Sequence, residues 1–260
     1  MPYAPGSTGF IGHVNHMNAA LGLTASSAAS NLPAGNLLND QLSKVWRSKA
    51  DVLTPTLTLD LGESNNIDVV ALVATNLKAT SQWRVQLSGG YDSGLIPTGV
   101  DEFYGMAVHL LPVSMPGQVV TIDIVAADLP YVQAGRLVVQ RVWRFQYGPE
   151  ASLEEEWVDA STRDQTEDSR LWVYNRPALR RVSGTLNGIS EVDYMTRGRI
   201  ISRNLASKVS TLLCTESHVP TAIGAKSVWG LLERGMPFRV TNRTATQTYY
   251  SASFSLMEQA

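Results

Sequence analysis

Thr56-Leu57-Thr58-Leu59-Asp60-Leu61 is the stretch that decides the fold class of this chain. Its leucines occupy every second position, so Leu57, Leu59 and Leu61 share one face and Thr56, Thr58 and Asp60 the other. That period of two marks a strand buried on one side. Gly62 is expected to end it, and the nearly unbroken apolar run Ile67–Ala74 predicts a second strand buried on both faces. Further along, Trp83, Val85 and Leu87 alternate with Arg84, Gln86 and Ser88, which puts Trp83 in a core. Val120, Ile122 and Ile124 repeat the alternation, and Leu137 and Val139 lead a last strand toward Phe145. Trp46 is expected in the same core. Short strands punctuated by Gly, Pro, Asn and Asp predict an antiparallel β-sandwich over residues 31–148. Residues 1–30 are Gly/Ala/Ser-rich with little periodicity and read as an N-terminal arm.

Beyond the sandwich the composition shifts. Residues 149–168 carry one Arg against eight Asp/Glu and show no sustained apolar period, so they read as an acidic linker. Residues 169–260 carry 12 Lys/Arg against five Asp/Glu and resume strand patterns at Leu171–Tyr174, Arg180–Leu186, Val209–Cys214, Ser227–Leu232, Phe238–Thr241 and Tyr250–Leu256. Ser190-Glu191-Val192-Asp193 has the spacing of a helix N-cap, and the helix is expected to run from Glu191 to Leu205. Gly198 lies inside it at a cost of about 1 kcal/mol. The expected fold is therefore mainly β: a sandwich followed by a small β-barrel or sandwich with one packed helix.

With 44% hydrophobic and 17% charged residues, the 260-residue chain can bury real cores and is not a disordered one. No run approaches the roughly 18 apolar residues of a membrane span. The N-terminal MPYAPGSTGF lacks a basic segment followed by an apolar one, so no secretion signal is expected. Cys214 is the single cysteine, which leaves no disulfide framework or cysteine-based zinc site within the chain.

Chemistry-bearing motifs are sparse. No G-x-S-x-G, H-E-x-x-H, P-loop or G-x-G-x-x-G pattern occurs. His13 and His16 stand three apart in a Gly-rich stretch and read as loop residues rather than metal ligands. No cofactor and no metal are expected, and the absence of a triad or carboxylate pair argues against an enzyme. Two groups of residues remain as candidates. Tyr91, Phe103 and Tyr104 fall in a Gly/Asp-containing loop region, where exposed aromatics can stack on a glycan or a partner protein. Glu154, Glu155 and Glu156 in the acidic strip oppose Arg197, Arg199 and Arg203 on the expected helix. Those charges either meet across a junction between copies of the chain or allow the strip to fold back on its own basic domain. Without interleaved aromatics, the arginines make no nucleic-acid site.

Ala29-Ser30-Asn31-Leu32, Trp46-Arg47-Ser48, Thr56–Gly62 and Ile67–Asn76 together resemble the discoidin-like, or galactose-binding-like, β-sandwich, over about residues 29–148. The longer arrangement, with Ala134–Leu137, the aromatic and acidic Trp157–Ser161, the Ser190-Glu191 helix start, Trp229–Leu232 and the ending near Glu258, resembles a group of bacteriophage tail-tip and baseplate proteins. The resemblance implies a virion structural protein, assembled in the host bacterial cytoplasm. It would form a homo-oligomeric ring, trimer or hexamer, that joins the tail tube to other baseplate or fibre proteins. The competing class is a carbohydrate-binding module that contacts host surface glycans. That class requires exposed aromatics converging on one loop end of the sandwich.

Overall fold

The structure, a computed structural model, describes residues 9–146, 148–149, 153–159, 161–165, 171–205, 209–244 and 246–259. The chain divides into two compact units: Met1–Gly148 with Thr211–Ser227, and Pro149–Ser210 with Val228–Ala260. In chain order the first ten strands are β1 (Phe10–Asn15), β2 (Gly22–Ala25), β3 (Trp46–Arg47), β4 (Thr56–Val73), β5 (Gln82–Leu87), β6 (Tyr91–Asp92), β7 (Ile96–Pro97), β8 (Met106–Val125), β9 (Gln133–Ala134) and β10 (Arg136–Arg144). There follow β11 (Glu154–Val158), β12 (Thr162–Gln165), β13 (Leu171–Tyr174) and β14 (Leu179–Ser190), a helix, then β15 (Thr211–Cys214), β16 (Ser227–Leu232), β17 (Phe238–Arg243) and β18 (Thr248–Glu258). The fold is mainly β and antiparallel, with one helix, as the alternation of apolar residues predicts.

The first unit is a sandwich whose two layers share the long strands β4 and β8. Thr56–Asp60 pair with Val119–Asp123, and Val69–Val73 pair with Met106–Leu110, with register shifts between. The front half of β4 is flanked by β2 and the rear half of β8 by β5, forming one layer. The rear half of β4 is flanked by β10, which continues to β1 and β15 in the other. Gly62 therefore does not end a strand as expected. At φ +78° it turns the backbone through a conformation that side chains resist, and β4 bends from one layer into the next. Leu57, Leu59, Leu61, Trp83, Val85 and Ile122 from one layer meet Val70, Leu72, Ala107, Leu137 and Val139 from the other in one core. Each such aliphatic side chain removed from water contributes roughly 1.5–3 kcal/mol.

Three expectations about segment boundaries are corrected. The arm is not loose: residues 1–8 lie outside the described residues, but β1 is an inner strand between β10 and β15, with Phe10 and Ile11 fully buried. His13 and His16 are buried with it; His16 Nε2 is 3.0 Å from the Asn66 carbonyl, and burial lowers its pKa. Nor is the acidic strip only a linker. Its Glu154–Val158 is a strand paired with Leu179–Ser183 of β14, because the glutamates find arginines across the ladder. Glu167 and Asp168 lie outside the described residues. In addition β15, expected in the second domain, belongs to the first unit through its pairing with β1.

The second unit orders its sheet β11-β14-β18-β16, with β17 beside the start of β18. Buried residues alternate along β18 at Ala252, Phe254 and Leu256, and Ile201 of the helix and Leu205 at its C-cap are also buried. The helix begins as expected, with Ser190 Oγ accepting from the Asp193 N–H. It is not a plain α-helix: an α turn at Glu191–Asp193 passes through a π turn at Tyr194–Gly198 into Arg199–Asn204. Gly198 is explained by contact, since a Cβ there would stand 2.7 Å from the Phe238 ring.

Candidate functional site

The rear end of β4 meets the first residues of β8 and β10: Val73 is paired with both Met106 and Arg136. The loops at residues 74–81, 99–105 and 126–135 therefore emerge at one end of the sandwich. The loop at 39–51 joins them, with Trp46 paired to Ala134 and Asp40 3.0 Å from the guanidinium of Arg136. Arg136 is 1% exposed, and desolvation lowers its pKa against the opposing pull of Asp40. Around it the loops are fixed by side chains. Arg47 lies 4.1 Å over the Tyr131 ring and donates to Gln133 Oε1, while Asn76 bonds the backbone of both Tyr131 and Gln133.

On this base stands an aromatic turn. Asp101 Oδ1 accepts from the N–H groups of Phe103 at 3.0 Å and Tyr104 at 2.9 Å, and Asp101 and Met106 exchange both backbone bonds. Gly105, at φ +59°, closes the turn, and its carbonyl accepts from Thr75 N. Phe103 is 79% exposed and edge-on to Tyr104, with ring centroids 5.0 Å apart. An apolar ring held this far out of the core loses the burial that normally positions a Phe. The turn fixes its backbone.

Tyr91 is not part of this group. It lies in β6, packs against the core, and its hydroxyl is 2.7 Å from His109 Nε2. His109 had no motif to mark it, yet it sits on the inward face of β8 between Ala107 and Leu111, with Trp83 edge-on at 6.4 Å. With Ile96, Pro97, Val108, Leu110 and Ile223 it lines a cavity of about 350 Å³. Burial lowers its pKa to about 4, so the imidazole is neutral at pH 7.

The charged candidates are likewise not brought together. Glu155 and Glu156 pair with Arg180 and Arg181 of their own chain at 2.8 and 2.6 Å, and Arg197 pairs with Asp193 at 2.8 Å. Within one copy of the chain the strip thus pairs with its own unit. Arg199 and Arg203 lie apart from the glutamates, on the helix, beside Tyr194 and Phe238. Among the described residues no group of three or more His, Cys, Asp or Glu is placed to hold a metal, and no helix is long and apolar enough to cross a membrane. Burial raises the Cys214 thiol to about 11 and keeps it protonated.

No family model and no curated protein matches this sequence. Among solved structures, this chain is similar over about half its length to the family 32 carbohydrate-binding module from Clostridium perfringens NanJ in complex with galactose. There the identity is 14%, the TM-score 0.42, and the match covers 51% of this chain and 99% of that one. A second C. perfringens module of that family, in complex with GalNAc-β-1,3-galactose, gives 15% identity, a TM-score of 0.41 and coverage of 49% and 100%. Chitosan-binding module 1 from a Paenibacillus sp. IK-5 chitosanase/glucanase gives 18%, 0.39, and 50% and 99%. These likenesses carry no residue role over to this chain, whose fold class rests on its own strand order and register.

Proposed function

We propose that the first unit is a carbohydrate-binding module that holds a glycan on its aromatic turn. The observation that carries this reading is Phe103, presented edge-on to Tyr104 on a turn fixed by Asp101, at the end where four loops converge. The apolar C–H face of a sugar ring needs a flat, exposed, preorganised apolar partner, and a ring fixed before binding loses little entropy on contact. The neighbouring loops offer hydrogen-bonding groups for hydroxyls, among them Asp40 and Arg47. Glycan-array screening followed by calorimetry on the best ligand tests it. Phe103→Ala is expected to weaken binding at least tenfold, about 1.4 kcal/mol, with stability unchanged because the ring is exposed. Unchanged affinity in that variant would remove the aromatic turn from the site.

A second reading, the structural subunit of a phage tail tip or baseplate, is favoured by a different observation. The hairpin β12–β13 exposes Trp172 (57%), Val173 (46%) and Tyr174 (60%), and β11 exposes Trp157 (48%). A two-stranded hairpin has little stability of its own, and adjacent exposed aromatics on one mark a surface that a partner covers. Ring formation by copies of the chain is the partner that the sequence resemblance supplies. Native mass measurement at micromolar concentration is expected to give a trimer or hexamer, and Trp172→Ser to shift it toward monomer. A monomer at all concentrations overturns this reading and leaves the glycan reading standing.

A further inference from the structure

The arginines of the second unit do not all have the same company. Arg180, Arg181 and Arg197 each face a carboxylate within 3.0 Å. Arg199 and Arg203 do not: among the described residues neither has an ion pair, and Arg199 approaches the Met195 sulfur at 3.7 Å. They stand four residues apart on the same helix face, where like charges repel by a few tenths of a kcal/mol. Both line one concavity of about 340 Å³, together with Tyr194, Ser202, Met236 and Phe238.

A π turn in the backbone makes this arrangement. In the π turn the Arg199 N–H bonds to the Tyr194 carbonyl, five residues back. Residues five apart diverge by more than a third of a turn on an α-helix, but a π turn brings them nearly into line. Tyr194 and Arg199 consequently border the same hollow. The aromatic wall is rigid: Tyr194 stacks on Tyr250 at 4.3 Å and leans on Phe238 at 5.1 Å. Gly198 lets the Phe238 ring come against the helix backbone. Ser202 Oγ donates to the Met236 carbonyl, which ties the helix to the chain before β17 and leaves the hydroxyl oxygen able to accept.

From this geometry we infer that the concavity is an oxyanion-binding site for a carboxylate or phosphate carried on a small flat or apolar body. Two guanidinium groups offer forked donors to the oxygens, and Tyr194, Phe238 and Met236 offer the body an apolar wall. The inference is independent of the glycan reading, which concerns the other unit.

The test uses the full chain with arginine side chains labelled for NMR, titrated in parallel with benzoate, inorganic phosphate and benzyl alcohol. Benzoate and phosphate are expected to shift the Arg199 and Arg203 Nε–H signals saturably, benzoate more tightly than phosphate, and both more weakly as salt rises. Benzyl alcohol, the uncharged counterpart of benzoate, is expected to leave them unshifted. Arg199→Gln/Arg203→Gln should weaken benzoate binding at least tenfold while melting no lower than the parent, because a like-charge pair is removed. Arg243→Gln, on exposed β17 and outside the concavity, should bind as the parent does. Equal response to benzyl alcohol, full binding in the double glutamine variant, or no saturable shift at tens of millimolar anion would each overturn the assignment.

Discussion

Trp83→Ala is expected to lower the stability of the sandwich by about 3–5 kcal/mol, a loss typical of a large aromatic removed from a packed interior. Trp83 is fully buried, sits in register between Ile124 of β8 and Ile96 of β7, and makes a T-shaped contact with His109. None of these neighbours can follow the missing ring, because each is held by its own strand. Domains of this size are stable by only about 5–15 kcal/mol, so the variant should sit close to unfolding at room temperature. Urea denaturation followed by near-ultraviolet circular dichroism measures the change. A loss below about 1 kcal/mol would mean that the site collapses around the void.

That residue was also among the most legible in the sequence. Trp83, Val85 and Leu87 alternate against polar neighbours, and a half-buried strand is the one local structure that such alternation fits. Leu57, Leu59 and Leu61 are legible for the same reason. What local pattern does not carry is how far a strand continues. Gly62 looks like a stop, yet at φ +78° it bends β4 between layers, and the difference lies in partners on β8 some 50 residues away. β1 was less visible still. Phe10–Asn15 has Gly12 and His13 in its middle, and its burial comes from β10 and β15, the latter about 200 residues downstream. Pairing at that separation leaves no local periodicity to read. At the candidate site the same division holds. The Gly/Asp-rich context marked Phe103 and Tyr104 as turn aromatics, but it marked Tyr91 equally, and only the fold shows its hydroxyl turned to His109. His109 itself was readable in principle from its place between Ala107 and Leu111. The π turn had no signature beyond Gly198, whose reason is the ring of Phe238.

Glu155→Ala is expected to destabilise the second unit by about 2–3 kcal/mol, below the roughly 3–5 kcal/mol lost when a fully buried ion pair is broken. The reason for the large effect is Arg180, whose side chain is 3% exposed and ion-paired to Glu155 at 2.8 Å. The reason for the discount is that the Glu155 side chain is 42% exposed, so water already screens part of the attraction. Removing the carboxylate takes the 2.8 Å ion pair from a buried guanidinium. Glu258 does not replace it at no cost: its carboxylate accepts from the Arg180 N–H, and desolvation already raises its pKa. Glu154, on the same strand, has no ion pair among the described residues, so Glu154→Ala should cost less than about 0.5 kcal/mol. The pair of variants separates the two roles first open to the acidic strip. Thermal melts of both, at low and high salt, should show a lower midpoint for Glu155→Ala alone, and added salt should narrow the gap only modestly because Arg180 is shielded from it. Equal and negligible effects would mean that the strip contributes nothing to its own unit, and would return its charges to a junction between copies.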